Sequence, residues 1–342
     1  MATTIKYAHS LVIGAGMAGL LAARRLTEAG RSVIVADKAR GVGGRMATRC
    51  IADARLDHGA QFFTARDPRF ARMVTGWLEK GAARIWTSAF PTESGRRLER
   101  LSPFYRAKGG MTAVPKLLAR HLNVAIGTEI ASVSWKAGLW EARTRSGAII
   151  RAECLVMTPP VPQALNLLDA GFVWLPYEDR WALESIAYDP CLAVMAILDG
   201  PSGLLEPGAL SLESGPIAWI ADNFIKGISP NRYAVTVHAD VPFSRRFLDG
   251  DLDDGAATLL DAAAAWLSSP VRSYQVHRWR FSRPSKIHGA PCLPLSDGRP
   301  LVFAGDAFGG PNVEGAALSG LAAADLLLSR TPSKKSASCG KE

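Results

Sequence analysis

Residues 10–38 read SLVIGAGMAGLLAARRLTEAGRSVIVADK, and this stretch decides the fold. A short apolar run leads into Gly14, Gly16 and Gly19, which permit a tight turn and the close approach of a pyrophosphate. The charge of that group would lie at the N-terminus of the helix that follows. Asp37 ends the next apolar run, eighteen residues after Gly19, where a carboxylate can accept hydrogen bonds from ribose hydroxyls. The order of these features predicts a dinucleotide site.

Hydrophobic periodicity predicts an α/β unit first and a different kind of sheet later in the chain. The α/β part should contain a helix from about Met17 to Gly30, a helix at 112–121, a small antiparallel meander at 131–150, and strands at 11–13, 33–36, 124–126 and 154–157. The later sheet should contain alternating strands at 192–198, 218–224, 233–239 and 274–281, with a helix at about 251–267. A last helix should begin near 312–316 and run to about Leu328.

Composition limits the possible classes of protein. With 342 residues, 48% of them hydrophobic and 21% charged, the chain has the length and content of about two globular domains. We find no apolar stretch of membrane-spanning length and no leader signal, so we expect a cytoplasmic protein without a membrane partner. The net charge of +9 comes from dispersed Lys and Arg, which favours a basic cleft for diphosphates over a nucleic-acid module. Five scattered cysteines without a CxxC pair predict reduced thiols and no metal site.

Features that suggest a ligand lie far apart in the sequence, at 10–61 and 301–316. A long ligand explains this separation, because its adenosine half can lie on the first unit while a redox ring reaches the second. The pattern indicates FAD, bound by a discontinuous α/β Rossmann-type domain and covered by an α+β substrate domain built on an antiparallel sheet. The predicted bounds are 1–65, 105–165 and 290–328 for the FAD-binding domain, 66–104 and 166–289 for the substrate domain, and 329–342 for a disordered tail.

The chain resembles the flavin amine oxidase superfamily and, within it, the bacterial renalase-like oxidases. The resemblance extends from about residue 10 to residue 328. It depends on the motifs VIGAGMAGLLAARRL, DKARGVGGRMATR, LDHGAQFFTARDPRF, TPPVPQALNLL, HRWRFSRP and AGDAFGGPNVEGAALSG. Two departures are Gly109-Gly110-Met111, where relatives usually read Pro-Gly-Met, and Ala307, where bacterial relatives can carry Trp. The second departure would alter the cavity wall beside the flavin.

The resemblance implies a role in FAD binding for each matching residue. The pyrophosphate and ribose would contact Gly14, Ala15, Gly16, Gly19, Asp37 and Arg45. The flavin ring would lie against Gly59, Ala60 and Gln61, with its pyrimidine end at the amides of Val313 and Glu314. Asp306 would hydrogen-bond the ribityl or pyrophosphate region. Their neighbours complete the expected cofactor-binding set: Met17, Ala18, Lys38, Met46, His58, Phe62, Gly305 and Ala316.

Period-2 alternation indicates which side chains of the later sheet face a ligand. It places His277 and Trp279 on one face of their strand, and His238 on one face of a neighbouring strand. One face of this sheet should cover the flavin, so His238 and His277 are candidates for substrate contact and Trp279 for an apolar wall. The alternative is that both histidines are structural and that Trp279 belongs to the core.

The resemblance implies an FAD-dependent oxidase that converts the 2- or 6-dihydro isomers of NAD(P)H to NAD(P)+ while O2 becomes H2O2. A second hypothesis is a flavin-dependent amine oxidase or desaturase, for which Lys286 is the lysine nearest a suitable motif. A third is a flavin-binding protein without turnover. Since neither Cys nor His occurs in the segment 305–315, where a tether would be convenient, we expect the FAD to be noncovalent.

Overall fold

The computed structural model describes residues 4–330, which form two main β-sheets with helices packed around them. The strands are β1 (Ile5–Ile13), β2 (Val33–Ala36), β3 (Thr48–Ile51), β4 (Ala54–Asp57), β5 (Ala83–Pro91), β6 (Arg97–Ala107), β7 (Val124–Ala125), β8 (Ile130–Lys136), β9 (Leu139–Thr144), β10 (Ile149–Met157), β11 (Ala187–Leu198), β12 (Ala209–Ser211), β13 (Ile217–Asp222), β14 (Ala234–Ala239), β15 (Val271–Lys286), β16 (Leu293–Pro294) and β17 (Leu301–Phe303).

The helices are α1 (Met17–Glu28), α2 (Pro68–Glu79), α3 (Ala113–Leu118), α4 (Val161–Asp169), α5 (Tyr177–Glu184), α6 (Val241–Arg246), α7 (Leu252–Ala263), α8 (Asp306–Gly309) and α9 (Val313–Arg330), with short 3-10 turns at Gly44–Met46 and Ala264–Trp266. None of the helices within residues 4–330 is long and apolar enough to cross a membrane.

The first sheet has the order β16-β17-β10-β1-β2-β7, and β17, β10, β1, β2 and β7 run parallel. The predicted βαβ unit is confirmed: β1 leads into α1, and β2 returns beside β1. Gly30, with φ +77°, follows the end of α1 and donates to the carbonyl of Thr27. Parallel strands place their carboxyl ends at one edge, which is where open α/β sheets bind ligands.

Strand β10 corrects the predicted meander. The third meander strand and the separate strand at 154–157 are one continuous strand, Ile149–Met157. Its first half pairs with β9, which also pairs with the edge strand β8, and its second half pairs with β17, while β1 runs along its other side. The strand therefore changes partner without ending, which local periodicity cannot reveal.

The second sheet has the order β12-β13-β14-β11-β15 and is antiparallel, as predicted. Strand β13 ends at Asp222, two residues earlier than expected, because the Asp222 carboxylate accepts from the amides of Phe224 and Ile225 and starts a turn. Helix α7 begins at the predicted acidic cap, where Asp251 accepts from two backbone amides. The Rossmann-type α/β part and the antiparallel sheet are thus both present, whereas the exact domain boundaries stay a prediction.

Helix α9 packs closely on α1 through small residues. A methyl group on Gly320 would lie 2.1 Å from the carbonyl oxygen of Ala18, so only glycine permits this approach. The helix continues to Arg330, which corrects the predicted tail at its first two residues, 329 and 330. The rest of the predicted tail lies outside the described residues.

Candidate functional site

A cavity of about 1490 Å³ lies at the carboxyl ends of the parallel strands and extends to the second sheet. Its wall includes the turn after β1, the residues following β2, β10 and β17, and side chains of β14 and β15. Pockets for a single drug-sized ligand span about 300–1,000 Å³. The cavity therefore has room for a dinucleotide-sized cofactor together with a substrate.

The glycine-rich turn carries its glycines for two different reasons. A methyl group on Gly19 would lie 1.9 Å from the carbonyl oxygen of Gly14, so Gly19 is required by close packing. Gly16 has φ −80°, which any residue adopts, and a methyl group there would meet no protein atom within 4 Å. Gly16 also lines the cavity at the start of α1. The space in front of it is open where a diphosphate would lie on the helix N-terminus, so the cradle fits such a group.

Asp37 directly follows β2 and lines the cavity, as its position in the sequence predicts. One carboxylate oxygen accepts from the amide of Ala15 at 2.6 Å, and the other accepts from the amide of Ala39 at 2.7 Å. Each oxygen can still accept a second hydrogen bond. Asp37 therefore holds the glycine-rich turn in place and keeps acceptor capacity for a ribose.

Arg45 and Asp306 join two distant parts of the cavity wall. Two guanidinium nitrogens of Arg45 donate to the two carboxylate oxygens of Asp306 at 2.7 and 2.6 Å. Arg45 also donates to the carbonyl of Ser282 in β15 at 3.2 Å. Burial raises the pKa of Asp306 above its ordinary value, although the charge of Arg45 opposes this shift. The pair fixes α8 beside the segment that follows β2.

The segment after β4 is held by backbone contacts that leave no room for larger residues. A methyl group on Gly59 would lie 2.1 Å from the carbonyl oxygen of Arg45, which accepts from the amide of Ala60 at 2.8 Å. The side-chain nitrogen of Gln61 donates to the carbonyl of Asp57 at 2.6 Å. These bonds fix the carboxamide of Gln61 in the cavity wall.

Most of the predicted site residues line this one cavity. From the cofactor-binding set, the lining residues are Gly14, Gly16, Met17, Ala18, Asp37, Lys38, Arg45, Met46, His58, Gly59, Ala60, Gln61, Phe62, Gly305, Asp306, Val313 and Ala316. The three substrate-side candidates, His238, His277 and Trp279, line it too.

Three predicted cofactor residues, Ala15, Gly19 and Glu314, are not among the residues that line the cavity, and their role in cofactor binding stays a prediction. Ala15 is fully buried under the turn, and Gly19 packs on Gly14. The Glu314 carboxylate accepts from the amides of Arg66 and Asp67 at 2.6 and 2.7 Å. This side chain therefore connects the start of α9 to the start of α2, and the role predicted for the Glu314 backbone amide is separate from it.

Three ring side chains of the second sheet meet at His58. Nε2 of His238 lies 3.2 Å from the carbonyl oxygen of His58, and Nε1 of Trp279 donates to the same oxygen at 2.7 Å. Because a carbonyl only accepts, Nε2 of His238 carries the proton. The ring of His277 lies 5.0 Å from that of His58 and 4.3 Å from that of Trp279, measured between centroids. The three side chains therefore lie together beside the segment that follows β4.

The histidines at this end of the cavity are neutral at physiological pH. Burial lowers the pKa of His238 to about 4 and that of His277 to about 4, where the charge of Arg49 adds to the effect. Burial and the neighbouring cationic groups lower the pKa of His58 to about 3. These side chains can therefore donate and accept hydrogen bonds but do not supply an imidazolium near pH 7.

Sequence reasoning missed a fully buried ion pair behind Gln61. The ammonium of Lys226 lies 2.8 Å from Oδ2 of Asp57 and 3.3 Å from the side-chain oxygen of Gln61, and both charged side chains have 0% exposure. The ammonium also lies 4.6 Å from the ring centroid of Trp86. Asp57 lies in one of the motifs on which the family resemblance depends. No local sequence pattern indicates that Lys226 is its partner. Lys286, the lysine singled out from the sequence, is exposed at the end of β15 and does not line the cavity.

The fold and the cavity are those of an oxidoreductase that binds a nucleotide cofactor. Comparison with known families identifies the class of oxidoreductase. The NAD(P)-binding Rossmann-like domain family matches residues 12–77. The family described as flavin containing amine oxidoreductase matches residues 81–328, which is more than half of the chain. The chain belongs to this family, and it is a flavin-dependent oxidoreductase.

Individual proteins agree with this assignment. The chain is renalase-like: it is 26% identical to the renalase of Mus musculus over 346 aligned positions, covering 93% of this chain and 98% of that protein. Wild-type putrescine oxidase bound to putrescine has a similar fold, with a TM-score of 0.69 at 15% identity, covering 95% of this chain and all of that one. A protein of Exiguobacterium sp. described as a protoporphyrinogen oxidase has a TM-score of 0.73 at 13% identity, covering 96% of this chain and all of that one.

Proposed function

We propose that this protein is an FAD-dependent oxidase that converts the 2- or 6-dihydro isomers of NAD(P)H to NAD(P)+. The balanced reaction consumes the dihydro isomer, one proton and O2, and it releases NAD(P)+ and H2O2. FAD would be bound noncovalently. It would accept two electrons from the substrate and would then be reoxidised by O2. Gly16 and the start of α1 would hold its diphosphate, Asp37 its ribose, and Gly59 to Gln61 its ring.

The charge of the cavity wall carries this proposal. Nine Lys and Arg residues line the cavity against three carboxylates. Two of the three are already paired with arginines, Glu129 with Arg145 and Asp306 with Arg45, and the third, Asp37, lies where the cofactor ribose would bind. Such a wall favours an anionic dinucleotide over a cationic amine.

The substrate end also suits a reaction that needs no strong base. A hydride leaves a dihydropyridine with the electron pair of a ring that becomes aromatic, so positioning should dominate the rate. Trp279 offers a flat apolar surface, and the neutral ring of His238 offers its free nitrogen, Nδ1, as an acceptor for a carboxamide. A hydrogen bond to the His58 carbonyl orients each of these two rings.

Anaerobic titration of the flavin-loaded protein tests the proposal. A dihydronicotinamide isomer should bleach the flavin in stopped-flow mixing, while putrescine and other amines should leave it oxidised. The reduction rate should be constant from pH 6 to 9, because His238 and His277 stay neutral above their pKa values of about 4. Bleaching by an amine, with a rate that rises with pH, would support the amine oxidase alternative, and no bleaching by either class would support a binding protein without turnover.

Asp37→Ala should weaken FAD binding about tenfold to a hundredfold, because a charged hydrogen-bond partner contributes about 1.5–3 kcal/mol. Flavin reduction in the fraction that retains FAD should proceed at the wild-type rate, since Asp37 lies far from the redox ring in this arrangement. FAD affinity is measured by dialysis and fluorescence. Because Asp37 also holds the amides of Ala15 and Ala39, the unfolding of the cofactor-free variant is measured alongside, and unchanged FAD affinity in the alanine variant would refute the role.

His238→Ala should slow flavin reduction while FAD content and melting temperature stay close to wild type. The stability loss is small because the His58 carbonyl keeps its hydrogen bond from Trp279. The control is His9→Ala, which removes a part-buried histidine that does not line the cavity. Normal reduction in a destabilised His238→Ala protein would show that His238 is only structural.

Acid precipitation tests whether the cofactor is noncovalent. We expect all of the yellow colour in the supernatant, because the cavity segment 305–315 offers no Cys or His side chain for a covalent tether. Colour that remains in the washed pellet would contradict this expectation.

A further inference from the structure

Arg49 is a cationic side chain of the cavity wall that forms no ion pair with a carboxylate in the part of the chain that the structure describes. Arg49 lies on β3, is half-buried and lines the cavity. Its guanidinium donates one long hydrogen bond, 3.4 Å, to the side-chain oxygen of Gln275 on β15. It also lies close enough to His58 and His277 for its charge to lower their pKa values. A permanent positive charge is thus held beside neutral rings.

The other arginines of the wall differ from Arg49 in their partners or their exposure. Arg45, Arg145 and Arg280 each form an ion pair with a carboxylate, and Arg278 donates to the carbonyl of Leu248. Arg40 and Arg283 are exposed to solvent. Within residues 4–330, no carboxylate lies within 4 Å of the Arg49 guanidinium, although this side chain is half-buried.

The position of Arg49 separates it from the cofactor end of the cavity. Its hydrogen bond is to Gln275, which lies on the same strand of the second sheet as His277 and Trp279. The open space for the cofactor diphosphate lies in front of Gly16 at the start of α1. Arg49 is thus a cationic group on the substrate side.

We propose that Arg49 binds a phosphate of the substrate's diphosphate, so that the site selects nucleotide-bearing dihydronicotinamides over the riboside. This inference rests on the proposed function. A guanidinium can donate two parallel hydrogen bonds to phosphate oxygens, and the planar fork fits this group better than an ammonium does. The hydrogen bond from Arg49 to Gln275 is long and therefore weak, so replacing it with a bond to phosphate costs little free energy.

The test compares three ligands that differ in phosphate content. Flavin-loaded wild type, Arg49→Gln and Arg49→Lys are titrated with NAD+, nicotinamide mononucleotide and nicotinamide riboside, and binding is followed calorimetrically and by the flavin spectrum. Arg49→Gln should lower the affinity for NAD+ and for the mononucleotide about tenfold to a hundredfold. Its affinity for the riboside should equal that of the wild type. Arg49→Lys should recover part of the loss, and higher salt should reduce the difference between wild type and Arg49→Gln.

The matched control is Arg272→Gln, which removes an exposed arginine of the same strand as Gln275 without touching the cavity. FAD content and melting temperature should be unchanged in both glutamine variants. Three results would overturn the inference. They are loss of FAD from Arg49→Gln, an equal loss of affinity for all three ligands, and a wild-type protein that binds none of them. Anaerobic reduction by dihydronicotinamides is measured separately, so a failure of the oxidase proposal and a failure of the Arg49 site give different results.

Discussion

Lys226→Met is expected to lower the free energy of unfolding by about 3–5 kcal/mol, the usual cost of leaving one member of a buried ion pair without its partner. Both side chains of the pair are fully buried. In the variant, Oδ1 of Asp57 keeps its hydrogen bonds from Thr48 and from the amide of Met111, but Oδ2 loses the ammonium. Because methionine fills most of the lysine volume, the loss of stability measures the effect of removing the charge and not that of creating a cavity.

Urea unfolding of flavin-free protein measures this effect. The double variant Lys226→Met/Asp57→Asn should recover much of the lost stability, because it removes both charges and leaves no unpaired carboxylate. Lys136→Met is the surface control: the lysine is 62% exposed and its partner Glu141 keeps the ion pair with Arg151, so we expect a loss within about 1 kcal/mol. A single variant as stable as wild type would mean that the pair does not form as the structure shows it.

Gly16→Ala should abolish tight flavin binding and leave the fold intact. The backbone at Gly16 suits alanine, and the new methyl group meets no protein atom within 4 Å. It would instead occupy the space where we propose that the cofactor diphosphate lies on α1. We expect flavin affinity to fall at least about tenfold, with a change in unfolding free energy within about 1 kcal/mol for exchanging a glycine N-cap.

Gly19→Ala is the matched comparison, three residues away on the same turn. Its methyl group would lie 1.9 Å from the carbonyl oxygen of Gly14, so the helix must shift. This variant should lose about 1–3 kcal/mol of stability as well as flavin, as in other overpacked sites. Purified proteins are compared by flavin absorbance and by unfolding without cofactor. Full flavin content in Gly16→Ala would contradict the placement of the diphosphate.

The first unit shows how far sequence reasoning reaches. Strand β2 and the start of α1 agree with the predicted bounds, and Asp37 lies at the cavity as expected. The same reasoning singled out His238, His277 and Trp279, and the structure brings these three rings together beside His58. These features depend on hydrophobic periodicity and turn chemistry, which involve residues close together in the chain.

Tertiary structure alone decided the partners of the charged groups. Lys226 meets Asp57 across 169 residues, and His58 receives its two hydrogen bonds from residues 180 and 221 positions away. The carboxylate of Glu314 holds the amides of Arg66 and Asp67, which lie 248 and 247 residues earlier in the chain. The sequence by itself determined the βαβ unit, its glycine-rich turn and the class of cofactor they suit, because each depends on local backbone geometry. Among the residues that the structure describes, some arginines of the cavity wall are paired with carboxylates, whereas Arg49 is not. This difference depends on which distant segments fold against each arginine, and no local sequence pattern predicts it.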